Sequence, residues 1–165
     1  MKFEKFFKSA GIYGKVISRG YKKWLVCGGV GMVVPDELCE NLSKGADSGK
    51  AKMIVDALCE TFDREPVMLS RAYLAKDGKP SEVLRIFRDE AGNEVAISNK
   101  DFGLLERSDI ALYWVDIEDD TDEDKDPQTL RFLIVQDSDD NVIGFIHGIN
   151  PNGLFYLTEF YIFCT

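Results

Sequence analysis

The sequence predicts an α+β fold built mostly on antiparallel sheet, with two to four short helices. Three observations predict it. Apolar residues make up 45% and aromatics 12% of 165 residues, enough to fold and to bury a core without disulfide or metal staples. Apolar and polar residues alternate over many short runs, which is the period of half-buried strands. Turn signals such as R-G-Y-K, D-E-A-G-N, D-S-D-D-N and N-P-N-G separate those runs at short intervals.

Each element follows from its residues. In K-F-E-K-F-F-K-S-A-G, Phe3, Phe6 and Phe7 share one face at helical spacing, lysines take the rest, and Gly11 is a stop. Strands are expected at residues 12–18, 23–27 and 30–34, broken by R-G-Y-K and Gly28-Gly29 and ended by Pro35. Asp36 is placed to cap a helix running to about residue 43, and K-G-A-D-S-G reads as a loop. Met53, Ile54, Ala57, Leu58 and Phe62 then recur at helical spacing.

From Val67 the period changes to two. V-M-L-S-R-A-Y-L, E-V-L-R-I-F-R and E-V-A-I-S, joined by A-K-D-G-K-P and D-E-A-G-N, read as an antiparallel meander. N-K-D-F-G-L-L-E-R is a short capped helix, and I-A-L-Y-W-V-D-I is a strand. T-L-R-F-L-I-V-Q and V-I-G-F-I-H-G-I flank the turn D-S-D-D-N. Asn152-Gly153 predicts a hairpin leading into L-F-Y-L-T-E-F-Y-I-F. Residues 1–165 read as one domain, whose strand-and-helix order points to an internal repeat with a break near 62–66.

Charge is divided along the chain. The net charge is −9, yet residues 1–23 carry Lys2, Lys5, Lys8, Lys15, Arg19, Lys22 and Lys23 against Glu4 alone. The run D-I-E-D-D-T-D-E-D-K-D at residues 116–126 holds eight acids and one lysine and reads as a loop of about a dozen residues between two strands. Lys5, Lys8, Lys15, Arg19, Lys22 and Lys23, interleaved with Phe, Tyr and Trp, are candidate nucleic-acid contacts, because aromatics stack bases while cations meet phosphates. A helix packing its Phe face with lysines in water is the alternative. Asp119, Asp120, Asp122, Glu123 and Asp124 are candidate contacts to a basic groove on a protein partner; simple solvation of a strand end is their alternative.

Motifs for other chemistry fail on spacing. A calcium loop starting at Asp120 would need Gly and Glu where Lys125 and Arg131 stand. G-A-D-S-G-K-A has three residues between its glycines, and Ala51 follows Lys50, so it departs from a phosphate loop on both counts. Cys27, Cys39, Cys59 and Cys164 form no paired spacing for zinc. His147 is the one histidine and is expected packed and hydrogen-bonded on a strand face. No catalytic residue, metal or cofactor is assigned. With no apolar leader, no membrane-length run and scattered cysteines, the reading is a cytoplasmic, non-enzymatic protein with reduced thiols, for which a homo-oligomer stays open.

Two stretches, W-L-V-C-G-G-V-G-M-V-V at residues 24–34 and D-N-V-I-G-F-I-H-G-I-N at 140–150, resemble the DNA sliding-clamp family, including clamp-like proteins of phages. That family carries a pattern like L-x-L-V-A-T-D-G-H-R-L. Gly29 is retained, whereas Gly28 stands in place of the family's Asp, Val30 of its His and Gly31 of its DNA-facing Arg. The resemblance implies a pseudo-repeated clamp-like unit, phage- or prophage-borne, that binds within DNA-replication or other nucleic-acid machinery. The alternative function is an acidic decoy, of the counter-defence type, that occupies a partner's basic groove.

Overall fold

Trp24 and Leu25 are neighbours in sequence and are buried on opposite faces of one strand. Successive strand side chains alternate faces, so a strand with both neighbours buried lies in a sheet covered on both sides. The computed structural model describes residues 1–40, 42, 49–61, 63–76, 83–106, 111–120, 122–151 and 160–164. Its elements are α1 (Phe3–Ala10), a 3-10 turn at Gly11–Tyr13, β1 (Lys15–Arg19), β2 (Lys22–Cys27), β3 (Val30–Val33), α2 (Asp36–Cys39) and α3 (Gly49–Glu60). They continue with β4 (Glu65–Pro66), β5 (Met68–Lys76), β6 (Val83–Arg88), β7 (Glu94–Ser98), α4 (Asn99–Phe102), β8 (Ala111–Asp119), β9 (Gln128–Gln136), β10 (Val142–Gly148) and β11 (Phe160–Cys164).

The chain is α+β, and every strand pairing among the described residues is antiparallel. Seven strands form one sheet in the order β1-β2-β3-β10-β9-β8-β4, and four form a second in the order β11-β5-β6-β7. The pairing of β3 with β10, with Gly31 opposite Phe145, joins the first and last thirds of the chain in one sheet. Of the stretch read as a break, Glu65 and Pro66 enter the same sheet, pairing with Trp114 and Tyr113.

Two cores follow from the alternation. On one face of the large sheet, α3 lays Ala51, Val55 and Leu58 against Trp24, Phe132 and Phe145. On the other face, Leu25, Met32, Leu133 and Ile146 meet Phe87, Val95 and Ile97 of the small sheet, with Phe6 and Ala10 of α1. Each of the larger aliphatic and phenyl side chains among them contributes about 1.5–3 kcal/mol through burial. The sheets also join directly: Ala96 and Ile149 exchange two backbone hydrogen bonds of 2.9 Å.

Several local expectations change. Phe6 is buried, but Phe7 is 45% exposed and stacks on Phe3 at 5.8 Å, so the α1 apolar stripe is only partly covered. The helix stops as expected at Gly11, whose φ of +51° suits glycine. Asp36 is the first residue of α2, not its cap, because Pro35 takes that place. Ser98 caps α4, its Oγ accepting from the Asp101 N–H at 3.0 Å.

Asn152-Gly153 and the start of the run expected to follow it lie outside the described residues, so the expected hairpin does too. β10 is flanked by β3 and β9, and β11 pairs with β5. The phosphate-loop-like residues 45–48 and the turn at 77–80 also lie outside the described residues.

Candidate nucleic-acid interface

The register of the large sheet separates the six candidate cations. Arg19 pairs with Lys22 and Lys15 with Val26, on the face that carries Ile17, Trp24 and α3. Lys23 lies one residue along, faces the other way, and donates to the Cys39 carbonyl at 2.7 Å. Lys5 and Lys8 are exposed on α1, and Lys5 donates to the Gly103 carbonyl at 3.1 Å. Even on the α3 face, Lys15 starts β1 and Arg19 ends it. The six therefore do not form one stripe; Arg19 and Lys22 are the pair the structure brings together.

Around that pair is a cleft of about 610 Å³ at the end of α3. Arg64, which the sequence reading missed, joins it. Its Nε donates to the Thr61 carbonyl at 2.6 Å and its Nη2 to the Leu58 carbonyl at 3.2 Å. A cation here satisfies orphan carbonyls at the negative end of the helix dipole. Arg19 is braced by Asp56 at 3.2 Å and Glu60 at 3.3 Å, which offset part of its charge. Lys22 sits 5.9 Å from the ring of Tyr21, which is 89% exposed at the β1–β2 turn. Tyr113, Gln136, Asp140 and Asn141 line it too, so the Asp140 carboxylate shares the cleft with the cations, and the Lys22 charge acts on Asp137 nearby. Cys59 is at the cleft too, and burial raises its thiol pKa against the lowering pull of Arg19 and Arg64, so it is no reactive thiolate.

The acidic run is not all loop. Asp116, Glu118 and Asp119 belong to β8, matched residue for residue to β9 through nine pairs, so the loop is residues 120–127, shorter than the sequence suggests. Asp116 is engaged by Arg131, Asp119 by Lys50 at 2.5 Å and Asp122 by Lys125 at 2.7 Å. Asp120, Glu123 and Asp124 have no cation partner among the described residues and face solvent or its edge. Strand direction puts this loop beside the Gln128 end of β9, whereas the Arg19–Lys22 cleft adjoins the Gln136 end. Eight residue steps of strand separate them, roughly 26 Å.

A second, mostly apolar cleft of about 360 Å³ lies at the start of α3, with Lys15, Lys50 and His147 on its rim. His147 is exposed, its ring 5.2 Å from Phe132 and without a hydrogen bond among the described residues, in place of the packed and bonded histidine expected. Partial desolvation, then the Lys50 charge, pushes its pKa below the usual imidazole range. No three His, Cys, Asp or Glu side chains converge on a metal position among the described residues. No helix among them is long and apolar enough to cross a membrane.

Gly31 lies against the Phe145 ring, where a side chain would have no room. Gly31 is thus inside the α3-side core, beside Phe145. No family model, curated protein or solved structure matches the chain.

Proposed function

We propose that this chain is a non-enzymatic, clamp-like binding module that contacts nucleic acid at the cleft beside the β1–β2 turn, through Arg19, Lys22 and Arg64. The supporting observation is the meeting of Arg19, Lys22 and Arg64 in one cleft, roughly 26 Å along the sheet from the acidic loop, with an exposed tyrosine beside them. Cations there meet phosphates while Tyr21 offers a stacking face. The acidic loop, at the far end, repels the strand and orients it toward the cleft. Free thiols at Cys27, Cys39 and Cys59 fit a reducing, cytoplasmic setting.

The experiment is a salt titration of oligonucleotide binding. Three phosphate contacts give a log–log slope of about −2 for a single strand, and Lys22→Ala reduces that slope by about 0.7. Absence of binding to single or double strands even at low salt removes the reading.

A second reading, an acidic decoy for a partner's basic groove, is favoured by the presentation of Asp120, Glu123 and Asp124 at the end of a nine-pair hairpin. Replacing Asp119, Asp120, Asp122, Glu123 and Asp124 with Ser and Asn would abolish capture of a basic-groove protein. Unchanged capture eliminates the decoy.

A further inference from the structure

The Arg19–Lys22 cleft holds a group that phosphate binding does not use. Gln136 is only 5% exposed, and its side-chain amide has no hydrogen-bond partner among the described residues. Yet no fully enclosed side-chain nitrogen or oxygen there is left unpaired. Both statements hold if the amide opens into the cleft, which Gln136 lines. An amide carries two donor hydrogens and an acceptor oxygen, and it is costly to bury without something to meet them.

We propose that the cleft takes one nucleoside phosphate unit of a single strand. The base enters beside Tyr113 with its hydrogen-bonding edge on the Gln136 amide, and the phosphate rests on Lys22 and Arg64. This rests on the nucleic-acid reading above and narrows it to unpaired strands. A base inside a duplex is stacked and paired, so only a splayed base reaches a recessed amide. Tyr21, at the rim, stacks the neighbouring base. Arg64 is already held by the Thr61 and Leu58 carbonyls, so little ordering is needed to present it. The cleft's volume lies within the range of sites that enclose small ligands.

Fluorescence anisotropy with four probes tests this at about 50 mM salt. They are a single strand of about 12 nucleotides, its duplex, an abasic strand with the same phosphates, and competing nucleoside monophosphates. The single strand binds about tenfold tighter than the abasic strand and the duplex, as one stacked base provides. Gln136→Leu and Tyr21→Ala each lower its affinity toward that of the abasic strand. Tyr21 is a surface side chain, so its variant keeps the fold whatever Gln136→Leu does. Equal binding of intact and abasic strands overturns the base pocket and leaves the phosphate reading standing. Loss of all binding overturns both. A monophosphate that competes as well as the whole strand assigns the pocket to free nucleotides and overturns the strand proposal.

Discussion

Arg131 and Asp116 face each other across β9 and β8 and share two parallel hydrogen bonds, Nε to Oδ1 and Nη2 to Oδ2, each 2.7 Å. The same guanidinium lies 4.3 Å from the Trp114 ring centroid and sends Nη1 to the Glu94 carbonyl of the small sheet at 2.8 Å. One side chain thereby ties the two sheets together. Lysine has no planar fork, so Arg131→Lys loses both the bidentate geometry and the bond to Glu94. We expect a loss of about 2 kcal/mol in denaturant unfolding, given that hydrogen bonds to charged groups contribute about 1.5–3 kcal/mol. A double-mutant cycle with Asp116→Asn should return a coupling of about 1 kcal/mol. Additive effects would show that the pair is ornamental.

Acid should unfold the protein in part through its turn aspartates. The turns at 89–93 and 137–141 are built alike: an aspartate N–H and carboxylate close on an Asn four residues later, and the fourth position has φ of +88° at Gly92 and +60° at Asp140. The Asn93 side chain foremost, with the Trp114 indole and the Asn93 backbone N–H, holds the Asp89 carboxyl below the usual range. Burial alone would raise Asp137, but backbone N–H groups of Asn141 and Asp139 outweigh it, so Asp137 is lowered too.

A carboxyl whose folded pKa is depressed takes up protons more readily when unfolded. Its stabilisation is therefore full above about pH 4 and lost as pH falls through the folded value. Asp89→Asn should flatten the acid limb of a stability-versus-pH curve measured by tryptophan fluorescence. An unchanged acid limb would leave Asp89 with no part in it.

The local pattern made most elements readable, because α3 and the strands advertise their periods and Gly11 its stop. What depended on long-range pairing was not readable. No local signal pairs β10 with β3 from the first third of the chain, or β11 with β5. Arg64 comes from the link between α3 and β4, Tyr113 from β8 and Gln136 from β9, and no spacing places them beside Lys22. The alternation of Asp116 and Glu118 with Val115 and Ile117 did contain the clue that the acidic run begins inside a strand.

Gly31→Ala should be destabilising by about 1–3 kcal/mol, since the added methyl meets the cross-strand Phe145 ring in a packed core. Phe145→Leu alone is also costly through lost contacts with Trp24 and Phe132. Combined, the two should cost less than their sum, because the smaller side chain makes room for the methyl. Thermal melts of the three variants check this, and strict additivity would mean that the two positions do not share space.

Neutralising the acidic loop should change binding kinetics without changing the fold. Asp120→Asn, Glu123→Gln and Asp124→Asn together move the net charge from −9 to −6. Stability should stay within about 0.5 kcal/mol, because these carboxylates have no cation partner among the described residues. The loop lies roughly 26 Å from the cleft, within the screening length of about 30 Å at 0.01 M salt but far beyond the 8 Å at 0.15 M. The triple variant should therefore associate with a single-stranded oligonucleotide several-fold faster at 0.01 M and at the wild-type rate at 0.15 M. Stopped-flow association at the two salt concentrations measures this. A difference that persists at 0.15 M would mean that the loop acts by touching the strand rather than through its field, and the nucleic-acid path would then run along the whole sheet rather than end at Lys22.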